Sequence, residues 1–182
     1  MRQPVTFTRL QEFMRALGTG VTSPYRVYLV GGATAVLLGW RDSTIDVDLK
    51  IIPESDEVFR SLPPLKERFQ MNIELASPDH FIPELPGWQE RSQFIQQESK
   101  LAFFHYDFYA QALAKIERGH TVDQWDVREM IRRGLVQPQR LLELFTAIEG
   151  QLYRYPALDG PSFRTAVERV VRETEVDSIR TD

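Results

Sequence analysis

Cysteine is absent from the 182 residues, which excludes disulfides, thiolate zinc sites and cysteine nucleophiles together. Histidine is scarce: His80, His105 and His120 are scattered, and none pairs at i,i+4, so a histidine zinc site is not expected. No run approaches the roughly 18 apolar residues of a membrane span. The N-terminus, MRQPVTFTRLQEFMRALG, carries charge throughout and lacks the apolar centre of a secretion signal. Neither G-x-x-x-x-G-K-[ST] nor G-x-G-x-x-G is present. Charge of one sign is not in excess either: 22 Lys and Arg face 26 Asp and Glu, for a net −4. Any contact with nucleic acid or nucleotide must then come from a local patch, or from metal ions that offset acidic groups. A soluble, cytoplasmic chain with no membrane association is expected. What is present is an ordinary globular balance, 42% apolar and 26% charged, enough for one domain or a domain with a small appendage.

The periodicity changes once along the chain. Thr6 to Leu17 places Phe7, Leu10, Phe13, Met14 and Leu17 at helical spacing, with Gly18 and Gly20 ending the segment. Tyr25 to Val30 is a β-branched and aromatic strand stopped by Gly31-Gly32, and Ala33 to Trp40 reads as a short buried helix. Ile45 to Ile52 alternates as a second strand. A helix then opens on Glu54, Asp56 and Glu57 and ends near Pro63-Pro64, with Leu65 to Phe69 a separate turn. Met71 to Ala76 is a third strand, Ser77 to Arg91 a long loop, and Gln93–Gln96 with Leu101–Tyr106 a hairpin. Helices are expected at Phe108–Arg118, with Asp107 as N-cap, and at Asp123–Arg133, Pro138–Ile148 and Pro161–Glu173. Thr174 to Asp182 is a polar, frayed tail. The division is a sheet domain over residues 1–106 and a helical portion over 107–182 packed on it, one compact unit.

Two stretches carry chemistry. A strand that ends in Gly-Gly and opens a helix lets the backbone approach a bulky anion, because neither glycine bears a Cβ. The helix N-terminus beyond it offers free N–H groups. In Ile45-Asp46-Val47-Asp48-Leu49-Lys50-Ile51, period two places Asp46 and Asp48 on one face, with Cα atoms roughly 7 Å apart. Side chains at that separation can lean onto one divalent cation or bracket two. Aspartate is disfavoured in strands, and two on one face repel, so the pair asks for a reason.

Taken together, Val30-Gly31-Gly32, the helix after it and Ile45-Asp46-Val47-Asp48-Leu49 resemble the signature of the nucleotidyltransferase superfamily with the polymerase-β-like fold. "RDST", Arg41 to Thr44, is similar to the residues before the aspartates in its bacterial toxin–antitoxin and abortive-infection branch. The resemblance implies an α/β (α+β) fold, a mixed twisted sheet with flanking helices and a helical C-terminal portion. It implies Mg²⁺ or Mn²⁺ held by Asp46, Asp48 and a third carboxylate on a neighbouring strand. Glu74 in Asn72-Ile73-Glu74-Leu75 is the candidate, although Asp is more usual there, and Asp79 is the fallback. Gly31, Gly32, Ala33 and Thr44 would bind a nucleoside triphosphate. Ala112 to Val127 is similar to the Lys-x-x-Arg…Asp-x-x-Asp segment of that branch: Lys115 and Arg118 would reach the phosphates, with Asp123 and Asp126 opening the next helix.

The implied activity is transfer of a nucleoside monophosphate to a tRNA or other RNA, a protein or a small molecule. The implied setting is a toxin–antitoxin or phage-defence pair with a cognate protein. A catalytically inactive member binding nucleotide, RNA or a protein partner is the alternative. Two further groups are ambiguous. Arg128, Arg132, Arg133 and Arg140 suit an RNA backbone or a solvated helix face. Phe103, Phe104, Tyr106, Phe108, Tyr109 and Trp125 suit a nucleobase wall or a core.

Overall fold

The computed structural model describes residues 2–179, the last five by backbone alone. Its strands are β1 Val5–Thr6, β2 Tyr25–Val30, β3 Ser43–Thr44, β4 Asp46–Ile52, β5 Asn72–Glu74, β6 Gln93–Glu98 and β7 Leu101–His105. Its helices are α1 Phe7–Thr19, α2 Gly32–Leu37, α3 Asp56–Phe69, α4 Trp88–Arg91, α5 Phe108–Arg118, α6 Thr121–Arg132, α7 Pro138–Glu149 and α8 Gly160–Ile179. These elements form two units. The first takes the chain up to Ser77 and then Ser92–Tyr106; the second takes Pro78–Arg91 and the chain from Asp107 onward.

In the first unit the strands line up as β5-β4-β2-β7-β6, a mixed sheet. β2 runs antiparallel to β4 and parallel to β7, β4 runs parallel to β5, and β6 closes an antiparallel hairpin with β7. Alternation sends Val27, Leu29, Val47, Leu49, Ile51, Ile73, Leu101 and Phe103 to one face. There they pack with Leu10, Phe13, Met14 and Leu17 of α1 and with Val58 and Leu62 of α3. Each such side chain contributes about 1.5–3 kcal/mol by leaving water. The other face carries Arg26, Tyr28, Asp46, Asp48, Lys50, Asn72, Glu74 and Phe104. Beside the sheet, β1 and β3 pair as a separate two-stranded ribbon, Val5 with Thr44 and Thr6 with Ser43.

Several boundaries differ from the sequence reading, each for a physical reason. α3 runs unbroken through Pro63 and Pro64 to Phe69 instead of stopping at them. Each proline forfeits a backbone donor, at about 3 kcal/mol in an average helix interior. The apolar stripe of Val58, Phe59, Leu62, Leu65 and Phe69 continues past them against the core, however, and offsets that loss. Arg9 ties the helix end by donating to the Phe69 carbonyl. α2 starts at Gly32 and stops at Leu37, short of Trp40. β5 is three residues long, not six. Ser77 to Arg91 is not one loop: it holds a 3-10 turn at Pro78–His80 and the helix α4, and Pro78–Arg91 belongs with the second unit. α8 continues through Thr174 to Ile179, where fraying was expected, since no glycine or proline follows Pro161 to stop it. Residues 180–182 of that expected tail lie outside the described residues.

In the second unit α5 touches α6, α7, α8 and the Pro78–His80 turn, so it is the central helix. Asp107 caps it, accepting from the Tyr109 amide at 3.2 Å, and Gly119 ends it with φ 71. The same carboxylate is buried and takes Arg91 of α4 at 2.7 Å. Phe145 of α7 meets Phe163 of α8 edge to face at 4.8 Å. No helix among the described residues is long and apolar enough to cross a membrane.

Candidate functional site

The parallel register of β4 and β5 pairs Asp46 with Asn72 and Asp48 with Glu74. Facing pairs in a sheet share a face, so three carboxylates and one amide stand together on the side of the sheet away from α1 and α3. Asn72 is 7% exposed, and its Nδ2 donates to Asp46 Oδ1 at 2.6 Å and to Glu74 Oε1 at 2.7 Å. One amide nitrogen has two hydrogens, and here both are spent on two like-charged neighbours. Asp79, the fallback third carboxylate, lies in the second unit, in the Pro78–His80 turn, where its backbone carbonyl accepts from the Tyr155 hydroxyl at 2.9 Å.

On the other flank of β4, Asp48 pairs with Val30, the last residue of β2. Gly31 follows with φ 61 and ψ −122, a backbone region that side-chain-bearing residues avoid. A Cβ built on Gly31 would lie 3.7 Å from Asp48 Oδ2, so the turn passes directly beside that carboxylate. Gly32 is glycine for space: its Cβ would lie 2.7 Å from the Thr44 Cβ and closer still to Thr44 Oγ1. Thr44 is held there by pairing with Val5 and by its hydroxyl, which donates to the Asp46 carbonyl at 3.2 Å. The two-residue ribbon β1–β3 thus braces the turn against the aspartate strand.

Carboxylate oxygens are hard ligands, and the set Asp46, Asp48, Glu74 has the chemistry of a Mg²⁺ or Mn²⁺ site. Among the described residues no group of three or more such side chains is gathered around one point. The Asn72 amide instead lies between Asp46 and Glu74. The residues fit the cation by kind and by face, and closing on it requires the side chains to turn inward from the Asn72 amide.

Lys115, Arg118, Asp123 and Asp126 come together in the second unit. Lys115 is 6% exposed; its Nζ donates to Asp126 Oδ2 at 2.6 Å and to Asp123 Oδ1 at 3.1 Å. Arg118 adds two contacts to Asp123, at 2.6 and 2.8 Å. Burial works to raise the Asp123 pKa, yet the Arg118 and Lys115 charges hold it below the ordinary carboxylate range. Asp126 is fully buried. Geometrically this cluster bolts α5 to α6. The arginines named from sequence are engaged in part: Arg132 and Arg133 contact Glu129, and Arg140 contacts Glu143, while Arg128 is exposed.

Three residues escaped the sequence reading. Asn72 lay inside the quoted strand, two positions before Glu74 and hence on its face; that spacing was the available signal. His105 and Thr34 had none, because they meet only through the fold. His105, opposite Leu29 in the β2–β7 register, places Nδ1 3.1 Å from Thr34 Oγ1 in the first turn of α2. The Thr34 hydroxyl also lies 3.3 Å from the Leu29 carbonyl, to which it donates. Burial lowers the His105 pKa to about 4, which keeps the ring neutral beneath the Gly-Gly turn.

A mixed sheet with paired aspartates on one strand, beside a strand–Gly-Gly–helix turn, defines a nucleotidyltransferase-like α+β protein. The chain belongs to the family described as nucleotidyltransferase of unknown function (DUF6036), which it matches over residues 5–171. No curated protein and no solved structure matches it.

Proposed function

We propose that the protein moves a nucleoside monophosphate from a nucleoside triphosphate to an acceptor, using Mg²⁺ or Mn²⁺ held by Asp46, Asp48 and Glu74. One observation carries the reading: Glu74 pairs with Asp48 across β4 and β5, on the face Asp46 shares, with the Gly31–Gly32 turn alongside. In the reaction an acceptor oxygen bonds to the α-phosphorus, the bond to the bridging oxygen breaks, and pyrophosphate leaves. A bound divalent cation supplies positive charge at the reacting phosphates and lowers the pKa of the attacking hydroxyl. The protein's own part is to hold the carboxylates on one face and to keep the turn thin. Phosphate oxygens can then approach the amides of Gly31, Gly32 and Ala33 beside Thr44. Phosphate binding by Lys115 and Arg118, which the resemblance implies, competes with Asp123 and Asp126 for Lys115 and with Asp123 for Arg118. An RNA, protein or small-molecule acceptor, and a cognate toxin or antitoxin, belong to this proposal on resemblance alone.

The rival reading is a member that binds nucleotide, RNA or a partner without turnover. The Asn72 bridge favours it, because it satisfies Asp46 and Glu74 without a cation. Incubation with each labelled nucleoside triphosphate, total RNA and Mg²⁺ or Mn²⁺ separates the two. Label transfer that disappears in Asp46→Asn and Asp48→Asn is the expected result. Nucleotide-dependent thermal stabilisation with no transfer in the wild type overturns it in favour of the rival.

A further inference from the structure

The face of the sheet that bears the carboxylates also bears a row of aromatic rings. Register places Phe94 of β6 opposite Phe104 of β7, Phe104 opposite Tyr28 of β2, and Tyr28 opposite Lys50 of β4. The rings touch in sequence: Phe94 meets Phe104 edge to face at 5.6 Å, and Phe104 stacks on Tyr28 at 5.3 Å. Tyr28 is buried and forms the floor, with Tyr106 against it at 6.1 Å. Phe94 is 60% exposed. It reaches this face because a bulge between Phe94 and Gln96 re-phases the strand, leaving Ile95 against the opposite core.

Cations flank the row, and no carboxylate lies in it. The exposed Arg26 guanidinium rests 5.9 Å from the Phe104 ring centre. At the other end Lys50 is two residues along β4 from Asp48, on the same face. Phe94 and Lys50 are three strand spacings apart, about 14 Å across the sheet. An exposed aromatic surface edged by positive charge fits an unpaired base with its phosphate, because every base has a π-face and every nucleotide an anion. A buried core use of these rings would not leave Phe94 in water.

We propose that Phe94 and Phe104, flanked by Arg26 and Lys50, form a stacking platform for an unpaired nucleobase on the sheet face that carries Asp46 and Asp48. The base belongs either to the nucleoside triphosphate or to a single-stranded RNA acceptor. The assignment deepens the proposed function by naming a subsite beside its carboxylates, but the platform is tested by binding and not by turnover.

The test titrates the full chain with a short, unstructured, fluorescein-labelled RNA and, separately, with each nucleoside triphosphate. Wild type is compared with Phe94→Ala, Phe94→Leu, Phe94→Trp and Arg26→Gln, each checked by circular dichroism. Loss of one stacked base predicts a Kd about tenfold weaker for Phe94→Ala and Phe94→Leu, and near wild type for Phe94→Trp. Arg26→Gln should flatten the salt dependence of RNA binding. A change confined to RNA assigns the platform to the acceptor; a change confined to triphosphate assigns it to the incoming base. Wild type that binds neither probe, or Phe94→Leu that binds both as wild type does, overturns the platform. Should transfer be absent while binding depends on the ring at 94, the transferase reading fails and the platform stands. Should transfer proceed with binding indifferent to that ring, the reverse holds.

Discussion

Thr44 fills the space that any side chain at Gly32 would need. Gly32→Ala is therefore expected to destabilise the protein by about 1–3 kcal/mol through overpacking. The remedy lies across the contact. Thr44→Ala in the same chain removes the Oγ1 overlap but keeps a Cβ at 2.7 Å, so it recovers part of the loss, and Thr44→Gly recovers more. Urea midpoints of the single and double variants form the cycle that measures this coupling. Additive losses would mean that the two residues do not compete for one space.

The Asn72 amide separates two carboxylates, so its replacement by a further acid tests the proposed cation site. Asn72→Asp is expected to lower thermal stability in chelator. Mg²⁺ or Mn²⁺ should restore the melting temperature more strongly than it shifts the wild type. Asn72→Leu removes both hydrogen bonds without adding charge, at about 1–3 kcal/mol. A melting temperature in Asn72→Asp that ignores divalent cations would argue against Asp46 and Glu74 as ligands.

Lys115 is the cation that the buried Asp126 and Asp123 share, so its loss removes a positive charge from both and leaves Asp123 to Arg118. Lys115→Met is expected to cost about 3–5 kcal/mol in chemical denaturation. Replacing Lys115, Asp123 and Asp126 together with apolar residues should return much of it, because the one charge then left behind, Arg118, is exposed. If Lys115→Met is as stable as wild type, its ammonium is not needed to hold α5 against α6.

His105 gives the stability profile a definite slope. Its folded pKa of about 4 lies below the ordinary 6.5, so the unfolded chain binds the extra proton between those values. Stability from this residue is complete above pH 6.5 and is lost as pH falls toward 4, by roughly 3 kcal/mol in all. His105→Asn should flatten the wild-type profile within that window. Equal slopes for the two proteins would mean that the ring is not held neutral.

Local signals were read well from sequence, and non-local ones were not. β2 ends where Gly31-Gly32 says it must, and α5 opens on its Asp107 cap and closes before Gly119. Both depend on neighbours a few positions away. The β1–β3 ribbon did not show, because two residues carry no period and its partners are 38 positions or so apart by register. α3 was cut at its prolines because propensity is visible in a sequence and the packing that overrides it is not. At the site, Asp46 and Asp48 announced themselves by spacing on one strand. Asn72 was invisible as a partner until register set it opposite Asp46. Lys115 was noticed for its charge, whereas its burial against Asp126 needed the helix pair.

The place of β7 in the sheet bears on how the chain is made. This strand lies between β2 and β6, yet it is the last of the sheet to leave the ribosome, after the Pro78–Arg91 excursion has interrupted the first unit. Until Leu101–His105 emerges, β2 is an open edge with nothing on its parallel side. Nascent chains halted before residue 101 should thus be the species that chaperones hold or that aggregate, and release past that point should let the sheet close.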